Sequence, residues 1–266
     1  MGIERMALAG LITTQPEAHP GVLLVTIDRP PVNALSLDLF RGLRDLFQAV
    51  GGLTSVRCVV LTATGKFFSA GADVKELSER TTEGQLVRSV ISRGCFDAIR
   101  RCDVPVVAAV NGAALGAGLV VASSCDIIVA ADSATFSLPE INVGVMGGTR
   151  HAARVLPDKL VRFLALTGRK IDAHTLQSFG GVNAIVAADQ LMASAFDIAD
   201  EIARKSPAAI RLMKESINLT EDLPITEGYR VEQLFTTLAS SMDESKEAAA
   251  AFLEKRDPKW VLKDED

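Results

Sequence analysis

At 266 residues, with 48% hydrophobic side chains and a mean hydropathy of +0.24, the chain can build one large domain or two small ones around a sizeable core. A net charge of −5, a pI near 5.4 and only 5% aromatics exclude the basic, stacking surface of a nucleic-acid binder. No apolar run reaches the about 18 residues of a membrane span.

The N-terminal apolar stretch Met6 to Ile12 is too short for a signal core and is flanked by Glu4 and Glu17; Met6 is an alternative start. Residues 1–20 are therefore assigned to an N-terminal extension. Val22 to Ile27 is a β-branched run closed by the turn Asp28-Arg29-Pro30-Pro31. Ser36 is the expected N-cap of a helix carrying Leu39, Phe40, Leu43, Leu46, Phe47 and Val50 on one face and stopped by Gly51-Gly52. Strands are expected at Val56–Thr62, Val104–Val110 and Asp126–Ala130, apolar on both faces as in a largely parallel, covered sheet. Between the first two of these, residues 76–101 read as a polar loop and a helix whose core side is Leu86, Val90, Cys95 and Ile99.

From Gly147 onward helices dominate, at 158–167, 172–179, 189–204, 207–218, 226–241 and 243–255, with Ser206-Pro207 as a capped start. The four cysteines, Cys58, Cys95, Cys102 and Cys125, show no metal-ligand spacing and read as reduced, buried residues of a cytoplasmic protein. The acidic Lys263–Asp266 end is neither a retention nor a peroxisomal signal. The fold class is α/β, a core over 21–200 followed by a helical region over 201–266.

Two small-residue segments follow apolar runs: Lys66-Phe67-Phe68-Ser69-Ala70-Gly71-Ala72-Asp73-Val74-Lys75 and Asn111-Gly112-Ala113-Ala114-Leu115-Gly116-Ala117-Gly118. Small side chains at strand ends let backbone N–H groups face a ligand. Two converging N–H groups would make an oxyanion hole, with Glu140 of the Pro139-Glu140 pair available to move a proton beside it. The glycines do not fit GxGxxG, and Ser69 lacks a GxSxG elbow. Taken alone, Glu140 reads first as a solvated loop acid, Ala113–Ala122 as a packed helix, and Asp73 and Asp126 as turn or cap residues.

These segments, with Asp28–Leu35, Leu166-Thr167-Gly168-Arg169 and Ala251–Arg256, make the chain resemble the crotonase, or enoyl-CoA hydratase/isomerase, family across residues 20–258. The resemblance implies a spiral of ββα units ending in helices, assembled as a homotrimer or a hexamer of paired trimers. It implies an acyl-CoA thioester substrate, no membrane or nucleic-acid partner, and no cofactor beyond the coenzyme A that the substrate carries. Ala72 and Ala117 would supply the two oxyanion N–H groups, and Glu140 the acid/base. Ala70 would meet the adenine. Lys66, Lys75 and a neighbouring subunit's Lys255 would contact phosphates, with Phe252 on the same C-terminal helix belonging to that coenzyme A site.

The chain also departs from the family pattern. Hydratases of the family hold water between two glutamates; the second matches Glu140, but the first falls on Val120, which can neither accept a proton nor position water. The loop Gly144–His151 is shorter than in many relatives and is expected to border the acyl group. His151 is expected to be structural, with general acid as the alternative. Three functions follow: a hydratase-like lyase using Glu140 alone, an isomerase with one shuttling carboxylate, or a catalytically weak CoA-thioester-binding protein.

Overall fold

In the computed structural model, which describes residues 10–78 and 81–260, the apolar runs of the first half form the centre of a six-stranded sheet. The chain runs β1 (Leu11–Thr14), β2 (Val22–Ile27), α1 (Leu37–Val50), β3 (Cys58–Ala63) and β4 (Phe67–Ser69). It continues through α2 (Val74–Ser78), α3 (Thr82–Arg100), β5 (Val106–Val110), β6 (Ala113–Leu115) and α4 (Ala117–Ser124). Next come β7 (Ile127–Ala131), β8 (Thr135–Ser137), the 3-10 turn Pro139–Val143, α5 (Thr149–Ala152) and α6 (Asp158–Thr167). β9 (Lys170–Asp172), α7 (Ala173–Ser178) and β10 (Ala184–Val186) lead to α8 (Leu191–Ala203), α9 (Pro207–Thr220), α10 (Ile225–Ser241) and α11 (Asp243–Glu254). Met6 to Ala9 and the acidic Lys263–Asp266 end lie outside the described residues.

The first sheet has the order β1-β2-β3-β5-β7-β10 and the second β4-β6-β8-β9. From β2 through β10 the first sheet is parallel, and only β1 joins it antiparallel. Each pair β3–β4, β5–β6 and β7–β8 places a longer strand in the first sheet and a three-residue strand in the second before the chain turns into helix. This is a repeated ββα path, so the parallel, covered sheet expected from the apolar runs is one half of a two-sheet architecture.

Alternation along the strands feeds two cores. Val59, Leu61, Val106, Ala108 and Val110 face α1, α3, α4 and the second sheet, where Phe40, Phe47, Phe68 and Phe136 are fully buried. Cys58, Val60, Val107, Ala109 and Val129 face α8, whose Leu191, Ala195, Ala199 and Ala203 recur every fourth residue. A stripe of alanines lets that helix lie close on the sheet. All four cysteines are buried free thiols, and burial pushes those of Cys58, Cys95 and Cys125 far up.

The expected N-cap is present: Ser36 Oγ accepts the Leu39 N–H at 3.2 Å, and α1 buries the whole expected face. The core side of α3 needs correction. Leu86 and Val90 are 66% and 58% exposed, whereas Arg88, Ile91, Cys95, Ala98 and Ile99 are buried. The first two turns of this helix border a cavity rather than the core, so an apolar residue there gains nothing by turning inward. Among the described residues no helix is long and apolar enough to cross a membrane.

Candidate active site

The two small-residue segments end side by side because β4 and β6 are parallel neighbours. Their approach leaves no room for side chains at the crossing. A Cβ at Gly71 would stand 2.8 Å from the Leu115 carbonyl oxygen and 3.4 Å from the Ala117 nitrogen, and its φ of +93° is itself a glycine conformation. Ser69 Oγ ties the loop together, donating to the Asn33 carbonyl at 2.7 Å and accepting from the Gly71 N–H at 3.1 Å.

Ala72 forms an isolated parallel bridge with Leu35. That bridge uses the Gly71 carbonyl, which accepts from Leu35 N at 2.8 Å, and the Asp73 N–H, which donates to Leu35 O at 3.0 Å. The N–H of Ala72 therefore points to the opposite edge. It donates to no described group, and neither does the N–H of Ala117, the first residue of α4. An N–H at the first helical position has no partner within its helix, and the helix dipole there favours negative charge. Asp73 anchors the loop from behind, with Oδ2 2.7 Å from Arg29 Nη2 and Oδ1 accepting the Lys75 N–H at 3.0 Å. Burial alone would raise this carboxyl, but these two donors outweigh it and hold it below its ordinary value.

Glu140 rides on the 3-10 turn, which Pro139 opens and left-handed Gly144 closes. Its carboxylate lies against the start of α4: a Cβ on Gly116 would come 2.4 Å from Oε1. The other oxygen, Oε2, is buried with no hydrogen-bond partner among the described residues, and burial raises the carboxyl above its ordinary value. Glu140, Ala72, Ala117 and Val120 together line one cavity of about 320 Å3. Among the described residues Glu140 is the sole carboxylate on its wall, and Val120 is 2% exposed. Val145, Met146, Gly147, Gly148 and His151 of the short loop close another side. A larger cleft of about 460 Å3 between Arg101–Asp103 and the α9 residues Arg211–Leu219 includes none of these groups.

His151 Nδ1 lies 3.4 Å from Ser124 Oγ and the ring stands edge-on to Phe96 at 5.3 Å. Burial and then the charge of Arg154 lower its pKa, so the imidazole is neutral at pH 7. The other sequence-nominated residues are not on the cavity wall. Ala70 is half-buried, and Lys66 and Lys75 are exposed on the β4–α2 segment. Phe252, 84% exposed, and Lys255, at the C-cap of α11, stand on the C-terminal helix.

Two features went unread in the sequence. Asn33, in the first turn at φ +53°, donates through Nδ2 to the carbonyls of Thr64 and Phe67, both at 2.8 Å, and accepts the Arg29 N–H at 2.9 Å. It clamps the turn to the strand that leads into the Ala70–Ala72 loop. The other is a stripe on α3, Gln85, Arg88, Ser89, Ser92, Arg93 and Phe96, which lines the cavity. Its helical spacing of polar residues was the available signal.

The model of the family described as enoyl-CoA hydratase/isomerase matches residues 17–263. The chain belongs to the enoyl-CoA hydratase/isomerase family. It is 41% identical over 244 residues to a Mycobacterium tuberculosis protein named (7aS)-7a-methyl-1,5-dioxo-2,3,5,6,7,7a-hexahydro-1H-indene-carboxyl-CoA hydrolase, covering 90% of this chain and 97% of that one. It is 35% identical over 254 residues to a carnitinyl-CoA dehydratase of Citrobacter koseri, covering 91% and 95%. The crystal structure of an enoyl-CoA hydratase from Mycobacterium smegmatis superposes with a TM-score of 0.90 at 30% identity, over 94% of this chain and 98% of that one. The two-sheet ββα architecture is thus the crotonase fold of this family.

Proposed function

We propose that this family member acts on acyl-CoA thioesters through an enolate, with the thioester oxygen held by the N–H groups of Ala72 and Ala117 and Glu140 as the single proton carrier. The observation that carries this reading is the buried Oε2 of Glu140, unpartnered, in one cavity with two backbone N–H groups that have no acceptor. An oxyanion donor of this kind is worth about 3–4 kcal/mol in the barrier. The reaction assigned first is elimination and addition of water, in keeping with the dehydratase and hydratase names of two relatives. Glu140 takes the proton next to the thioester, the electron pair enters the held enolate, and its collapse expels the β-hydroxyl as water with the proton Glu140 returns. One carboxylate serves both transfers.

A second reading has its own support: with valine at 120, Glu140 is the one carboxylate among the described wall residues, and relatives at 41% and 39% identity are named hydrolases of a dioxo-indene thioester. Here Glu140 takes a proton from water, and the hydroxide adds to a ketone β to the thioester. The bond between that carbon and the α carbon breaks, its electron pair passing to the held enolate. Glu140 then protonates the α carbon, and the ketone carbon leaves as a carboxylic acid.

We also propose a homotrimer or pair of trimers. The apolar Ile225, Leu234, Phe252 and Leu253 of α10 and α11 are exposed, and neighbouring copies would cover them. Lys66, Lys75 and a neighbour's Lys255 then meet the phosphates, and Ala70 the adenine. Light scattering reads the assembly.

The deciding experiment is mass spectrometry of 2-enoyl-, 3-enoyl-, 3-hydroxyacyl- and 3-oxoacyl-CoA esters incubated with the protein in D2O. Gain or loss of one water with deuterium at the α carbon supports hydratase chemistry. A shortened acyl-CoA plus a free acid supports the hydrolase. Double-bond migration without water replaces both by isomerisation, and binding without any mass change leaves a thioester-binding protein.

A further inference from the structure

Arg88 is an unusual wall for an acyl pocket. It is 7% exposed, although arginine is rarely buried without full pairing. Nη2 pairs with Glu76 Oε2, whose carboxylate also accepts the Leu37 N–H at the start of α1 at 3.1 Å. Glu76 is thereby fixed at two points, and the guanidinium cannot swing to solvent without losing its ion pair. Nη1 is buried and has no partner among the described residues. Arg88 lines the same cavity as Glu140. Two residues on that wall thus each carry a buried polar atom with no partner among the described residues: Glu140 Oε2 lacks a donor and Arg88 Nη1 an acceptor.

A buried donor without an acceptor costs free energy that a hydrocarbon chain cannot return. Two other residues of the α3 stripe, Gln85 and Arg93, also carry side-chain donors, while the hydroxyls of Ser89 and Ser92 donate to the Gln85 and Ser89 carbonyls; Phe40, Val120 and Met146 supply the apolar wall. Building on the acyl-CoA reading above, we infer that the acyl group of the natural substrate carries a second oxygen acceptor, a ketone or a carboxylate, which takes a hydrogen bond from Arg88 Nη1. A guanidinium suits either oxygen, because its N–H groups are charged and held in a fixed plane. An unsubstituted enoyl chain would leave Nη1 as it stands.

Titration calorimetry of the full-length protein tests this with esters of equal chain length. The set is hexanoyl-CoA, oxohexanoyl-CoA with the oxo group at the third, fourth or fifth carbon, and adipoyl-CoA. At least one oxo ester or the carboxylate ester should bind about 10- to 100-fold tighter than hexanoyl-CoA, and Arg88→Leu should level that ratio. Should that variant not fold, Arg88→Lys, which keeps the charge toward Glu76 but loses the second nitrogen, should level it in the same way. Preference among the oxo positions or for adipoyl-CoA identifies which acceptor the site takes. Equal affinities across the wild-type series overturn the inference, and so does a preference that survives in folded R88L. Binding of no ester, hexanoyl-CoA included, overturns the acyl-CoA reading itself and this inference with it.

Discussion

Gly116 and Glu140 are in such close contact that a methyl group at position 116 would stand 2.4 Å from Glu140 Oε1 and 3.1 Å from its Cδ. Position 116 also has φ +53°, so any side chain there meets backbone strain as well as the carboxylate. Gly116→Ala should displace the acid and tilt the first turn of α4 together. The expected loss is about 1–3 kcal/mol of stability and about 100-fold in turnover, the cost of misplacing a reacting group by roughly an ångström. Urea denaturation and initial rates measure the two separately.

Replacing Glu140 by Gln keeps the shape of the side chain and removes its proton. Turnover should fall about 100- to 10,000-fold while thioester affinity stays within a few-fold. Turnover near the wild-type level would remove Glu140 from the mechanism.

The same variant carries a pH signature. Burial raises the folded-state pKa of Glu140 above its unfolded value, so the folded protein binds this proton more tightly. Its favourable contribution is complete below the unfolded pKa and is lost as pH rises through the folded one. Glu140→Gln should therefore melt higher than wild type at neutral pH, with the gap closing on acidification to the ordinary carboxylate range. Scanning calorimetry across that range reads the difference. In the wild type, kcat/KM for proton abstraction should rise with pH through the raised pKa.

Val120 faces the cavity that holds Glu140, so Val120→Glu introduces a second carboxylate on its wall. Hydration of a 2-enoyl-CoA should increase as water gains a second acceptor, at a stability cost of about 1–3 kcal/mol. The new charge also pushes Glu140 further up. A native circular-dichroism spectrum with an unchanged hydration rate would rule out water positioning as the missing function at this position.

Lys214, 6% exposed, lies 2.7 Å from Asp126 and donates to the Val104 carbonyl at 2.9 Å. Asp126 also accepts the Val106 N–H at 2.7 Å, so it joins β5 to the start of β7 and both to α9. Lys214→Met strands that carboxylate and should cost about 3–5 kcal/mol. Activity per folded molecule should be retained, since neither residue lines the active cavity.

The apolar strands β2, β3, β5 and β7 and helix α1 were legible because their patterns extend over five residues or more. β4, β6 and β8 were not, because three residues carry too little periodicity, and these strands define the second sheet. Ala72, Ala117 and Glu140 were nominated through their resemblance to family motifs. Their convergence depends on β4 lying beside β6, a non-local pairing that spacing along the chain does not encode. Asp126 looked like a turn residue, yet it anchors a buried ion pair whose partner is 88 positions away. Arg88 escaped notice for the opposite reason, since one arginine in a polar helix ordinarily marks a solvated face.

Helix α3 turns Cys95 and Ile99 to the core and a polar stripe to the cavity, while the proposed reacting groups Ala72, Ala117 and Glu140 come from the β4–α2 and β6–α4 connections and the Pro139 turn. On the function proposed above, choice of acyl group and handling of the enolate reside on different stretches of chain. On that reading, exchange of Gln85, Ser89, Ser92 or Arg93 should alter what is recognised while leaving the backbone donors and the acid in place. Such a division makes the protein evolvable: a lineage can acquire new thioesters by drift along one helix face while its proton chemistry is inherited intact.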